Sequence, residues 1–267
     1  MELYSGLRPW YDRALELMAI YLSVVMYGPR MMKKRPAFRL QGVLVAYNFS
    51  LVIMSAYMVY ELLVSSIEAG YSLTCQVVDY SYTPNALRML FVCWLYYVSK
   101  YVELADTVFF ILRKKSNQVS VLHVYHHAAT VFFAWLGVAY VPGGQSFFQP
   151  LLNSAVHVVM YTYYGLAALG PHIQPYLWWK KYLTSMQLVQ LTLIMGHAGY
   201  NMFVPDCAFP KGYDLLVFSY ALSLLLLFAN FYRQAYSTGK RQEFKGKPLA
   251  SNGVQDNGVH SHKDHRE

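Results

Sequence analysis

Charge is what this chain has least of. Only 13% of its 267 residues are Asp, Glu, Lys or Arg, against roughly 25% in a soluble domain. That deficit excludes an ordinary water-soluble fold before any motif is read. Acidic residues are the scarcer kind, 14 against 22 Lys and Arg, which gives a formal charge of +8. In a soluble protein such an excess would suggest nucleic acid. Here the basic residues sit in short connections and in the C-terminal stretch, where membrane orientation accounts for them, so no nucleic-acid partner is expected. The first residues also lack a basic region followed by a cleavage site, so 1–13 does not read as a signal peptide.

What the chain has instead is apolar length. Hydrophobic residues make up 56%, with 25 Tyr and 5 Trp, whose rings combine an apolar body with a polar tip. A spanning helix needs about 20 mostly apolar residues. Six stretches qualify: 42–67, 86–112, 119–141, 147–169, 182–204 and 213–232. A seventh, 15–27, contains Glu16 and is too short unless 10–14 joins it. Gly28-Pro29, Pro142-Gly143-Gly144, Gly170-Pro171 and 210–212 read as breakers between spans. The tail from Ser237 is polar and has nothing to bury, so 237–267 is expected to be a disordered cytosolic segment behind one membrane domain, 1–236.

Lys and Arg alternate between connections. They crowd 28–41, 113–118, 170–181 and the tail from Arg233, while 68–85, 140–146 and 205–212 hold only Lys211. This alternation predicts an all-α, multi-pass protein with seven spans, a lumenal N-terminus and a cytosolic C-terminus. Cys75 and Cys207 both fall on the oxidising side, so a disulfide between them is one reading and two free thiols the other. Asn48-Phe-Ser50 matches a glycosylation acceptor but lies inside a span and is discounted.

Ionisable groups inside a bilayer are expensive and point to function. Span 86–112 carries Lys100, Glu103, Asp106 and Thr107, with 100, 103 and 107 on one helical face. A buried structural Lys100–Glu103 pair is the alternative there. Span 119–141 opens with His123, His126 and His127, three imidazoles within roughly a third of a helix circumference. Span 147–169 adds Asn153, His157, Tyr161 and Tyr164, and 182–204 adds Thr184, Gln187 and Gln190. For the two glutamines alone, interhelical hydrogen bonding is the simpler account. His197 stands apart and reads as structural. By rise per residue, His126 lies about 10 Å inside the cytosolic edge of its span, with Asp106 and Gln187 at similar depth.

Histidine clusters serve metals, proton transfer or nucleophilic attack. A di-iron desaturase or hydroxylase is one reading of His-x-x-His-His, but the spans hold five histidines where that chemistry uses about eight. A zinc on His123, His127 and His157 is another. A seven-helix transporter or receptor leaves the histidines without a task. The remaining reading is thioester chemistry, because neutral imidazole can attack a thioester and a second imidazole can move a proton.

Four segments together resemble the very-long-chain fatty acid elongases: Lys100-Tyr-Val-Glu103-Leu-Ala-Asp106-Thr107, His123-Val-Tyr-His126-His127, His157-Val-Val-Met160-Tyr161-Thr-Tyr163-Tyr164 and Thr184-Ser-Met-Gln187-Leu-Val-Gln190. Their order and spacing match throughout. The resemblance implies seven transmembrane helices, six of them forming a barrel around an acyl tunnel. It implies condensation of a long-chain acyl-CoA with malonyl-CoA to a 3-ketoacyl-CoA, in the endoplasmic reticulum membrane, with no metal or other cofactor. His126 is then the nucleophile, a choice that spacing alone does not make. His157, His123 and His127 assist, while Asp106 and Glu103 orient histidines. Lys100, Asn153, Tyr161, Tyr164, Gln187 and Gln190 serve the substrate, and Lys114, Lys115, Lys180 and Lys181 either hold CoA phosphates or act as plain positive-inside residues. Expected partners are the two CoA thioesters, the lipid bilayer, the reductases and dehydratase of the cycle, and a second copy of the chain. The terminal Lys263-Asp-His265-Arg-Glu267 departs from the family's dilysine retrieval signal.

Overall fold

The computed structural model describes residues 14–237, so the expected tail and residues 1–13 lie outside the described residues. Every regular element among those described is helical. In chain order they are α1 (Ala14–Met32), α2 (Gln41–Glu68), α3 (Pro84–Glu103), α4 (Ala105–Leu112), α5 (Val121–Tyr140), α6 (Phe148–Ala168), α7 (Lys180–Met202) and α8 (Lys211–Tyr232). Short 3-10 turns at Ser116–Gln118, Gly144–Phe147 and Pro171–Tyr176 fill three connections.

By length and composition, α2, α5 and α8 with its continuation to Tyr236 are apolar enough to cross a membrane. α6 and α7 are as long, but they carry the buried Asn153, His157, Thr184 and Gln190. Outward faces are apolar, with Ile53, Ile67, Val121 and Phe203 well exposed.

Two expectations change. The stretch 86–112 is not one helix: the ladder breaks at Leu104, where three-residue turns run from Leu104 N to Tyr101 O and from Thr107 N to Leu104 O. The Tyr47 hydroxyl donates to the Val102 carbonyl there at 3.1 Å, so the break is supported by a side chain. The Gly28-Pro29 breaker also fails to end α1, which runs on to Met32. Pro29 lies within a turn of the helix end, so its missing N–H removes a single ladder bond.

Packing places α2 against α3 and α6, α6 against α7, α7 against α8, α8 against α5, and α5 against α3. α1 lies on α4 and α5. The largest apolar cluster joins Met58 and Leu62 of α2, Met89, Val92, Tyr96 and Tyr97 of α3, and Ala134 and Val138 of α5. A second joins Ile194 and Ala198 of α7 to Val217 and Ala221 of α8. At the end away from the basic connections, Cys75 and Cys207 are joined as a disulfide with Cα atoms 5.4 Å apart. Asn48 is buried and donates to the Leu44 carbonyl at 2.6 Å, out of reach of the surface.

Candidate active site

The polar groups meet where α3, α5, α6, α7 and α8 face one another. Ser120 starts α5 by accepting from the His123 N–H at 3.2 Å, a helix N-cap that fixes the histidines in the first two turns. The His123 and His127 rings lie 4.3 Å apart, and those of His126 and His127 5.4 Å.

Around Asn153 the pairing is determined. Its Oδ1 accepts from Lys100 Nζ at 2.8 Å and from the Tyr96 hydroxyl at 3.0 Å. The amide Nδ2 therefore faces His157 Nε2, at 3.2 Å, and donates to it. His157 Nδ1 is 3.3 Å from Glu103 Oε1, which also pairs with Lys100 Nζ at 2.7 Å. One ring nitrogen accepts and the other donates, which describes a neutral imidazole with its proton on Nδ1, assigned from its partners. All five residues are at least nine-tenths buried, so each charge and dipole depends on the next.

His126 occupies a second arrangement. Its Nδ1 is 3.4 Å from Thr130 Oγ1, and that hydroxyl donates to the His126 carbonyl at 2.6 Å and pairs with the Tyr220 hydroxyl. With Nδ1 directed at Thr130, Nε2 meets no hydrogen-bond partner among the described residues. His126 lines a cavity with Tyr96, Asn153, Gln190, Tyr220 and Leu224, among others. A smaller cavity toward the disulfide end shares Gln149, Ile194 and Val217 with it.

The other sequence-selected residues are distributed unevenly. Asp106 accepts from the Tyr161 hydroxyl at 3.0 Å and, among the described residues, bonds no histidine, whereas Glu103 meets His157. His123 Nε2 is 2.8 Å from Thr107 Oγ1. Gln190 lines the cavity, whereas Gln187 donates to Met160 Sδ at 3.4 Å. Tyr164 is half exposed, its ring 6.3 Å from that of Tyr161. Lys114, Lys180 and Lys181 are exposed near the basic ends of α4 and α7. His197 bonds the Leu73 carbonyl at 2.7 Å and stacks on Phe148 at the far end. Among the described residues no three His, Cys, Asp or Glu side chains are grouped as around a metal ion. Tyr96, Thr130 and Tyr220 were not selected from sequence; in a chain with 25 Tyr, a functional hydroxyl carries no distinguishing signal.

Comparison with known proteins gives this geometry a family. A family model described as ELO, the GNS1/SUR4 family, matches residues 10–244. Very long chain fatty acid elongase 4 of Mus musculus is 47% identical over 251 residues, covering 94% of this chain and 79% of that protein. Elongase 7 of Rattus norvegicus is 49% identical over 219 residues, 82% of this chain and 78% of its own. Elongase 1 of Homo sapiens is 46% identical over 226 residues, 84% and 81% respectively. A match that spans all the described residues, and with them the positions of every polar cluster above, means that the chain belongs to the GNS1/SUR4 family, that of the very long chain fatty acid elongases.

Proposed function

We propose that this protein condenses a long-chain acyl-CoA with malonyl-CoA through an acyl-imidazole on His126. The activity class follows from the family, whose curated members are very long chain fatty acid elongases. One observation carries the choice of nucleophile: His126 is the histidine that lines the cavity, with Nδ1 directed at Thr130. His123 is engaged through Nε2, and His127 is buried against the other two rings and does not line the cavity.

Nε2 of His126 attacks the thioester carbonyl carbon. A C–N bond forms, the C–S bond breaks and CoA leaves as the thiol after taking a proton. Malonyl-CoA then loses CO2, and its C2 carbanion attacks the acyl carbon. The C–N bond breaks, giving 3-ketoacyl-CoA and free His126. Gln190, which lines the same cavity, donates to the carbonyl oxygen as charge develops, while the Tyr220 hydroxyl, its proton taken by Thr130, steadies the Thr130–His126 arrangement. His157, held neutral between Asn153 and Glu103, is the proton-transfer partner. In this mechanism neither metal nor prosthetic group is used.

The seven-span reading counts α3 and α4 as one broken crossing. The neighbour order α2, α3, α5, α8, α7, α6 and back to α2 supports a six-helix barrel with α1 outside it. The two cavities, neighbours across Gln149, Ile194 and Val217, support an acyl path from His126 toward the disulfide end. The exposed Lys114, Lys180 and Lys181 suit CoA phosphates at the opposite mouth. We place the protein in the endoplasmic reticulum membrane with a cytosolic C-terminus, passing its product to a reductase and dehydratase. A second copy of the chain remains the expected oligomeric partner.

The test is intact-mass analysis of purified protein given acyl-CoA without malonyl-CoA. An acyl adduct mapped to His126 and chased by malonyl-CoA into 3-ketoacyl-CoA is expected. Full turnover by His126→Ala would overturn the assignment.

A further inference from the structure

The helix outside the ring reaches the histidines. The residues of α1 that are not exposed are Ala14, Met18, Tyr21, the adjacent Val24 and Val25, Gly28 and Met32, a stripe that recurs every three or four residues, which is the spacing of a helix–helix seam. Gly28, two turns after Tyr21 on that seam, sits so close to α4 that an added Cβ would lie 3.1 Å from the Ile111 side chain. The seam is thus pressed onto α4. The other faces of α1 are open, with Leu15, Ile20, Met26 and Met31 all more than half exposed. Tyr21, only 4% exposed, turns its hydroxyl to Thr107 Oγ1 at 3.1 Å. Thr107, fully buried, meets His123 Nε2 at 2.8 Å.

Proton direction follows from counting donors. A phenol that only accepted from Thr107 would leave its own proton buried and unpaired, at a cost in free energy. Tyr21 therefore donates to Thr107, and Thr107 donates to Nε2 of His123. That places the His123 proton on Nδ1 and fixes the ring plane beside His127.

We propose that Tyr21 is a positioning residue: acting through Thr107, it holds His123 in a single tautomer and orientation, so that α1 is part of the catalytic apparatus. The inference rests on the condensation reading, in which His123 serves proton transfer. It requires Tyr21→Phe, which removes one oxygen and preserves the seam, to lower kcat about fivefold with little change in KM. The pH profile of kcat must also move, because the tautomer of a titrating ring has lost its support. Thr107→Val lowers kcat further, Thr107→Ser restores most of it, and Tyr21→Phe has no added effect on Thr107→Val.

The experiment is steady-state kinetics of wild-type protein and these four variants with palmitoyl-CoA and malonyl-CoA, on samples matched for monodispersity and melting temperature. Wild-type kcat and pH profile in Tyr21→Phe, or equal losses from Tyr21→Phe with and without Thr107→Val, would overturn the proposal. Failure of wild-type protein to form 3-ketoacyl-CoA would instead strike the condensation reading, so the two failures are distinct.

Discussion

Asn153 donates its amide to Nε2 of His157 across 3.2 Å because its oxygen is already taken by Lys100 and Tyr96. That relationship separates stability from activity at one position. Asn153→Asp keeps an acceptor for Lys100 and Tyr96 but removes the donor and presents negative charge to His157. The imidazole then favours its protonated form and no longer serves as a base. We expect near-native thermal stability with a loss of kcat on the order of 100-fold. Asn153→Leu should instead lower the melting temperature, because it strands Lys100 and Tyr96. Melting temperature and turnover, measured on both variants in detergent, check the contrast.

The Lys100–Glu103 pair is 2% and 3% exposed, so removing one partner leaves an uncompensated charge. Such removals cost about 3–5 kcal/mol. Lys100→Met and Glu103→Gln should each destabilise strongly. The double substitution should be more stable than the sum of the two losses predicts. A double-mutant cycle on thermal unfolding measures the coupling, and additive losses would contradict a directly coupled pair.

The two glutamines of α7 should part company. Gln190 lines the His126 cavity, while Gln187 is engaged with Met160. Loss of a donor to a developing oxyanion costs about 100-fold or more in kcat. Gln190→Ala is expected to approach that loss and to slow formation of the acyl adduct. Gln187→Ala should stay within about threefold of wild type, the scale of one modest hydrogen bond. Single-turnover acylation rates for both variants decide it.

The sequence made the helical class legible because apolar length is a one-dimensional property. The histidine positions were legible because three imidazoles on one face are rare in an apolar span. Pairing was not. Asp106 and Glu103 are both carboxylates near one helix face, yet one meets Tyr161 and the other His157. The break at Leu104 interrupts the helix between Glu103 and Asp106, and nothing in Glu103-Leu-Ala-Asp106 marks it, since neither Gly nor Pro is present. α1 was hard to read because its apolar run is short and interrupted by Glu16. Its seam spacing, once compared with the packing, accounts for where it sits.

At the end remote from the histidines, one glycine holds several connections together. Gly144 has φ of +56°, a left-handed conformation, and an added Cβ would lie 2.7 Å from the Gln76 carbonyl oxygen and 2.9 Å from the Val77 carbonyl carbon. That same Gln76 oxygen accepts from Gln145 N at 2.8 Å, and the Gln145 side chain donates to both oxygens of Asp214 at 3.0 and 2.9 Å. The Gln76 strand of chain is anchored next door by the Cys75–Cys207 disulfide and by Asn201, whose oxygen accepts from Cys75 N. The backbone contact therefore cannot relax without moving α7 and α8. Gly144→Ala should lower thermal stability by more than the ~1 kcal/mol that left-handed strain alone would cost. Gly196, inside α7 with nothing within 4 Å of an added Cβ, is the internal control. Gly196→Ala should be neutral or stabilising by up to ~1 kcal/mol, since alanine is the better helix former. Melting curves of the two variants under non-reducing conditions test the claim, and equal stabilities would mean that the Gly144 connection yields more easily than its anchors allow.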